Sequence, residues 1–259
     1  MNRIAKWDGE HWSALDNGVQ GCKDLGCTPA VYALALDKNN LYAGGRFSQA
    51  GRVNANGIAK WNGSEWAALG DGVGTGDYDG IVWSLCPYRE GVYAGGTFIT
   101  AGGKPARNIS KWDGRTWSAL SGVGGGLEAV YSIGIRQPDV YVAGDFNTAG
   151  GLQASNFARW DGQRWSTAAI QALGSIRALA TIDDEIYLGG NAFVLPSGKT
   201  TNGAVKWNGE NWVALGSGIG NDRLQALVVT MLCDPRKGIV MGGGPFAMSV
   251  QDRTTLTKK

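Results

Sequence analysis

"KWDGEHWSAL", residues 6–15, sets two tryptophans five positions apart around an Asp-Gly pair. The phrase returns as KWNGSEWAAL (60–69), KWDGRTWSAL (111–120), RWDGQRWSTA (159–168) and KWNGENWVAL (206–215). Ten of the 11 tryptophans therefore serve one repeated structural purpose. Asp-Gly or Asn-Gly between two short apolar runs is a strong hairpin signal, because a type I′ turn needs positive φ at both central residues. With Asp8 and Gly9 as a two-residue turn, Trp7 is expected to face Glu10, and Ala5 to face Trp12.

The first tryptophans, Trp7, Trp61, Trp112, Trp160 and Trp207, recur at intervals of 54, 51, 48 and 47 residues. That is near the ~50-residue period of kelch-type propellers and above the ~40–45 of WD repeats. A second phrase recurs between the hairpins: LYAGGRF (41–47), VYAGGTF (92–98), VYVAGDF (140–146), IYLGGNAF (186–193) and VMGGGPF (240–246). A third precedes it: VYALAL (31–36), VWSLCP (82–87), VYSIGI (130–135), IRALAT (176–181) and LQALVV (224–229). These short β-branched and aromatic runs, bounded by Gly, Pro, Asn and Asp, read as strands. No window has a capped 3.6-residue apolar period, so almost no helix is expected.

Each repeat then supplies four strands. The third phrase is strand a, the second is strand b, and the tryptophan hairpin is strands c and d. Complete sets span about 31–69, 82–120, 130–168 and 176–215. Two half-sets remain, strands a and b at 224–246 and strands c and d at 2–15. Joined, they complete a fifth blade and leave no open sheet edge, the ring closure of β-propellers. The expected fold is all-β: one five-bladed propeller over residues 1–259, four antiparallel strands per blade, with 250–259 as a solvated tail.

Composition agrees. Glycine numbers 42 of 259 residues, about twice the usual ~7%, which implies many turns. The net charge of +2 comes from scattered residues, so no basic stripe suggests nucleic acid. No run approaches ~18 apolar residues, so no membrane insertion by a helix is expected. The opening MNRIAKWDGE lacks the apolar core of a signal peptide. Cys22 and Cys27 share one Gly-rich loop, GCKDLGC. A local disulfide would pin it, free thiols would leave it loose, and zinc would want about four ligands while the single His11 lies in another turn. No metal or other cofactor is expected.

The repeat "YAGG…N.IAKW(D/N)G..W..L" resembles the kelch-like propeller repeats of the cortical cell-polarity marker family and of related repeat proteins at cell surfaces. It covers nearly the whole chain, and differs from ordinary kelch in its tighter Trp-Asp-Gly-x-x-Trp turn. The resemblance implies a propeller with a surface or scaffolding role, at the cell surface or secreted. It brings no catalytic residue.

Residues common to all repeats answer a packing problem common to all blades. The glycine pairs Gly44-Gly45 and Gly95-Gly96 let backbone approach a neighbouring blade, and Phe47, Phe98, Phe146, Phe193 and Phe246 are core. Function is expected where repeats differ, in the b–c loops (SQAGRVNANG, ITAGGKPARN) and the d–a loops (16–30 the longest), which emerge on one face. At the channel mouth, the second residue of strand a is Tyr32, Trp83, Tyr131, Arg177 and Gln225. Three aromatics and two polar groups there suit a peptide side chain or a sugar ring, and inter-blade packing is the competing reading.

Other motifs are near-misses. Gly198-Lys199-Thr200 lacks the first P-loop glycine and a following helix. GVGTGDYDG (72–80) lacks the strand and helix of a dinucleotide site, and its Asp71, Asp77 and Asp79 miss the EF-hand spacing. Asp183-Asp184-Glu185 fits a tight turn as well as it fits acid–base catalysis. Asn62 and Asn108 head glycosylation acceptor patterns. The expected function is therefore a non-enzymatic scaffold for a protein or peptide partner. A lectin using the aromatic mouth, and a hydrolase or lyase with a site in the channel, are the alternatives.

Overall fold

A computed structural model describes residues 2–23, 26–37, 40–76, 79–89, 91–126 and 128–215, and the strand backbones within 220–244. All regular structure among the described residues is β, in antiparallel sheets. Two compact units divide the chain, Met1–Thr167 and Ala168–Lys259.

The first unit holds three four-stranded sheets in the expected a-b-c-d order. The first comprises Ala30–Asp37, Asn40–Arg46, Ile58–Trp61 and Trp66–Ala68. The second comprises Ile81–Tyr88, Gly91–Thr97, Ile109–Trp112 and Trp117–Ala119. The third comprises Ala129–Arg136, Asp139–Asp145, Phe157–Trp160 and Trp165–Thr167. Strand a of each sheet packs on strand a of the next, in the β-propeller-like manner. The core lies between sheets. Tyr42 and Ile58 of the first meet Val82, Phe98 and Trp117 of the second, and Tyr93 and Ile109 of the second meet Val130, Phe146 and Trp165 of the third. Phe47, Phe98, Phe146 and Phe193 are buried, as expected, whereas Phe246 lies outside the described residues.

The tryptophan hairpin has a longer turn than a two-residue I′ connection. Trp7 pairs with Trp12, Lys6 with Ser13 and Ala5 with Ala14, so four residues form the loop. The side chain of Asp8 decides this. Its Oδ1 accepts the Glu10 and His11 backbone N–H groups at 2.9 and 2.7 Å, an Asx turn that adds two residues, and Gly9 supplies φ +114°. Asn62, Asp113, Asp161 and Asn208 repeat the device. The two rings of each pair consequently face one another, with centroids 5.3–5.6 Å apart.

Parts of the connections expected as long loops form short paired strands. In each of the first three repeats the b–c segment folds into a small hairpin and the d–a segment adds a third strand. These sheets are Val19–Gln20, Gln49–Ala50, Val53–Asn54; then Val73–Gly74, Thr100–Ala101, Lys104–Pro105; then Val123–Gly124, Thr148–Ala149, Leu152–Gln153. Val19, Val73 and Val123, with Ala50, Ala101 and Ala149, are buried there. Short strands in turn-rich sequence are held by these apolar pairs rather than by propensity.

The glycine pairs divide their work. A Cβ on Gly44 would stand 2.5 Å from Val82 Cγ1 of the next sheet, whereas one on Gly45 would stand 2.0 Å from the Ala30 carbonyl of its own sheet. Only the first glycine of the pair serves inter-sheet approach, and it admits a side chain rather than backbone.

The second unit holds one five-stranded sheet. Gln171–Ala172 and Ile176–Ile182 both pair with the long strand Glu185–Val194, followed by Thr200–Trp207 and Trp212–Ala214. Here the small sheet has merged with the main one. Beyond it, Gly220–Asn221 pairs with Leu224–Gln225, and Leu227–Asp234 with Gly238–Gly244. Strand a of the last repeat is thus Leu227–Asp234, not 224–229. Its register is set by pairing Asp234 with Gly238 across the turn and Leu227 with Gly244 at the far end. The tail 250–259 lies outside the described residues.

Candidate functional site

Each strand a carries a β-bulge at one place. Register shifts fall between Val31 and Ala33, Val82 and Ser84, Val130 and Ser132, Ile176 and Ala178, and Val228 and Thr230. The skipped residues are Tyr32, Trp83, Tyr131, Arg177 and Val229. A bulge leaves one residue without an opposite partner and re-aims its side chain. Four of the five residues singled out from the sequence occupy that position. Gln225 does not: it lies in the short strand Leu224–Gln225, and Val229 takes its place.

In the first unit the bulged side chains meet. The Tyr32 and Trp83 rings are 4.4 Å apart at 38°, and Trp83 and Tyr131 are 6.1 Å apart, edge to face. Such pairs contribute roughly 0.5–1.5 kcal/mol beyond buried area. The Trp83 indole N–H donates to Thr97 Oγ1 at 3.1 Å, which fixes the ring plane. Behind it, Ser84 Oγ accepts the Ile133 N–H at 3.1 Å, tying the second bulge to the third sheet. Tyr32 ends the ladder and is 45% exposed. It borders an open cleft of about 470 Å³, lined also by Arg3, Ile4, Ala5, Val31 and Leu34. Arg177 holds the bulged position of the second unit and is half-buried.

A second cluster joins two d–a connections of the first unit. Cys22 and Cys27 form a disulfide with Cα atoms 6.2 Å apart, one of the two non-metal readings of that loop. Asp79 is buried, and its Oδ2 accepts the Lys23 N–H at 2.7 Å. Cys86 is a free thiol, pushed up to about 11 by burial, which makes it a poor nucleophile.

The carboxylates near the a–b turns are engaged structurally. Glu185 accepts from Lys206 and from the Tyr187 hydroxyl, and these hold it below the usual carboxylate range. Asp139 pairs with Arg159 at 2.8 Å. His11 sits in the first tryptophan turn, its backbone bound to Asp8. Lys199 closes a hairpin turn through the Leu195 N–H, and a strand follows where a P-loop would need a helix. Asn108 is 2% exposed and spends both amide atoms inside, accepting from Phe98 N–H and donating to the Val123 carbonyl. That position is closed to glycosylation in the folded chain.

No family model matches the chain, and no curated protein matches it. Among solved structures, the computationally designed protein Ika8 is similar with TM-score 0.50 and 17% identity, over 83% of this chain and 55% of its own. This chain therefore spans about half the length of that protein. A second designed protein, Ika4, gives TM-score 0.43 and 16% identity over 71% and 93%, and YCF48 bound to a D1 peptide gives 0.46 and 14% over 86% and 66%. At such identities the likeness concerns fold alone.

Proposed function

We propose that the chain is a non-enzymatic interaction scaffold, a kelch-like five-bladed propeller that binds a protein or peptide segment on the face carrying the small sheets and the aromatic bulges. The observation that carries this reading is the Tyr32–Trp83–Tyr131 ladder. Three successive repeats each break their ladder of hydrogen bonds to project an aromatic ring at one place, and the three rings form one contiguous row. Flat apolar rings with a polar edge suit a peptide side chain. Glu185 and Asp139, two carboxylates at the a–b turns, are held in ion pairs with Lys206 and Arg159. The repeat phrase, with its resemblance to cell-polarity marker repeats, supports a surface scaffold.

The fifth blade in this reading combines Leu227–Asp234 and Gly238–Gly244 with the hairpin Ala5–Trp7 and Trp12–Ala14. Register supports it. Gly242 corresponds to Gly44, and Ile4 to Ile58, when their hairpins are superposed on the first repeat.

The test is an arrayed peptide library and a glycan array, each probed with the parent chain and with Tyr32→Ala/Trp83→Ala. Selective peptide binding that falls at least tenfold in the double variant is the expected result. Glycan binding lost in that variant would make the chain a lectin, and binding unaffected by it would remove the ladder from the site.

A further inference from the structure

We infer that Cys22, Cys27 and Asp79 form, when the cysteine pair is reduced, a site for a thiophilic divalent cation of the zinc class. The two sulfurs and a carboxylate oxygen all lie within 4.8 Å of one another. They come from two connections far apart in sequence, which the fold brings together. Counting ligands along the chain could not reveal this, since the third ligand is 52 residues beyond Cys27.

The carboxylate gives the independent indication. Asp79 is 7% exposed. Its Oδ2 accepts the Lys23 N–H and lies 4.0 Å from Cys27 Sγ. Its Oδ1 is fully buried and has no hydrogen-bond partner among the described residues. A buried carboxylate oxygen without a donor is costly, because its hydration is lost with nothing in exchange. A cation bound by this carboxylate beside the two sulfurs would offset that cost. The Cys-x4-Cys spacing lies within the range used by structural zinc sites.

The same sulfurs have two exclusive states. Bonded to one another, they offer no thiolate. A dithiol gives two electrons and two protons and becomes a disulfide, or a phosphine gives two electrons and becomes its oxide while water supplies the oxygen and two protons; in either case the S–S bond breaks and two thiols form. Binding the cation releases both thiol protons to solvent, and the thiolates and Asp79 supply three ligands. A fourth position is left to water, the arrangement of an open rather than a closed site.

The experiment uses the full chain with the fourth of its 4 cysteines replaced, Cys233→Ala, so that it adds no thiolate of its own; the chain is reduced with a phosphine that is then removed, and titrated with cobalt(II) and then zinc. One equivalent of cobalt should bind with a thiolate-to-cobalt charge-transfer band, and zinc should displace it. The unreduced chain should show neither. Asp79→Asn should weaken binding roughly tenfold or more, and Cys27→Ser should remove most of the band, with tryptophan fluorescence confirming that each variant is folded. Absence of cobalt uptake by the reduced parent would overturn the proposal. So would equal affinity in Asp79→Asn or an unchanged band in Cys27→Ser.

Discussion

The indole N–H of Trp117 donates to the main-chain carbonyl of Leu69, 2.7 Å away and one repeat upstream. Trp66 makes the same bond to Leu15 at 3.0 Å, and Trp165 makes it to Leu120. Each acceptor leucine is itself buried. The second tryptophan of the motif therefore does two things. In these three repeats it fills the space beside its own partner ring and donates to the carbonyl that ends the previous sheet, which at Leu15 and Leu69 also accepts a backbone N–H, from Gly18 and Gly72. Leucine or phenylalanine could do only the first, which explains why the motif keeps tryptophan. Turn glycines make room for it: Gly51, Gly102 and Gly150 have positive φ, and a Cβ on any of them would come within 3 Å of the indole Cδ1.

Trp117→Phe should separate these roles. The ring volume is largely kept while the Leu69 carbonyl loses the indole donor and keeps only the Gly72 N–H, so a loss of about 0.5–1.5 kcal/mol is expected in denaturant titration. Trp117→Ala removes packing as well and should cost about 3–5 kcal/mol.

Gly44→Ala should destabilise by about 1–3 kcal/mol, because the added methyl meets Val82 Cγ1 at 2.5 Å and Leu85 Cδ1 at 3.1 Å. Combining it with Val82→Ala should recover part of that loss, a favourable coupling readable in a double-mutant cycle. Gly45→Ala should show no such rescue, since its obstacle is the Ala30 carbonyl.

Asp8, Asp113 and Asp161 are held below the ordinary 3.8 by the two backbone N–H groups that each accepts. A depressed folded value means stabilisation that is present above the unfolded value and lost as pH falls through the folded one. Asn62 and Asn208 perform the same capping without titrating. Asp113→Asn should therefore leave the melting temperature at pH 7 nearly unchanged and reduce its fall between pH 5 and pH 2. Asp113→Ala should lower it at pH 7, with the difference from the parent shrinking as the pH falls.

The proposed fifth blade has one register. In that proposal, by correspondence with Tyr42 and Lys60, Val240 would stand opposite Lys6. Lys6→Cys/Val240→Cys should form a disulfide on mild oxidation, found by peptide mapping, whereas Lys6→Cys/Ile239→Cys should not. The opposite pattern would exclude this closure.

Much of this fold was legible because repetition multiplies weak signals. A single "LYAGG" is ambiguous, but five copies at matching distances from a tryptophan hairpin fix strand order. The hairpin register escaped because Asp8 competes for backbone N–H groups through its side chain, and dipeptide rules consider only backbone preference. The small sheets escaped because Val53-Asn54 or Lys104-Pro105 have no strand signature; pairing with a neighbouring connection creates them. The aromatic ladder was half visible. Its residues could be aligned by counting, yet the bulge that turns them out is a mismatch between two strands and belongs to neither sequence alone. Counting failed at Gln225, where the apolar phrase LQALVV begins before the paired strand does.

The tryptophan-to-carbonyl bonds have a direction. Each donor lies downstream of its acceptor, so a repeat leaving the ribosome finds its anchoring point already made by the one before it. Growth from the amino end can add one locked unit at a time without waiting for the rest, and a chain cut short after any of these three tryptophans would retain the clasps made so far.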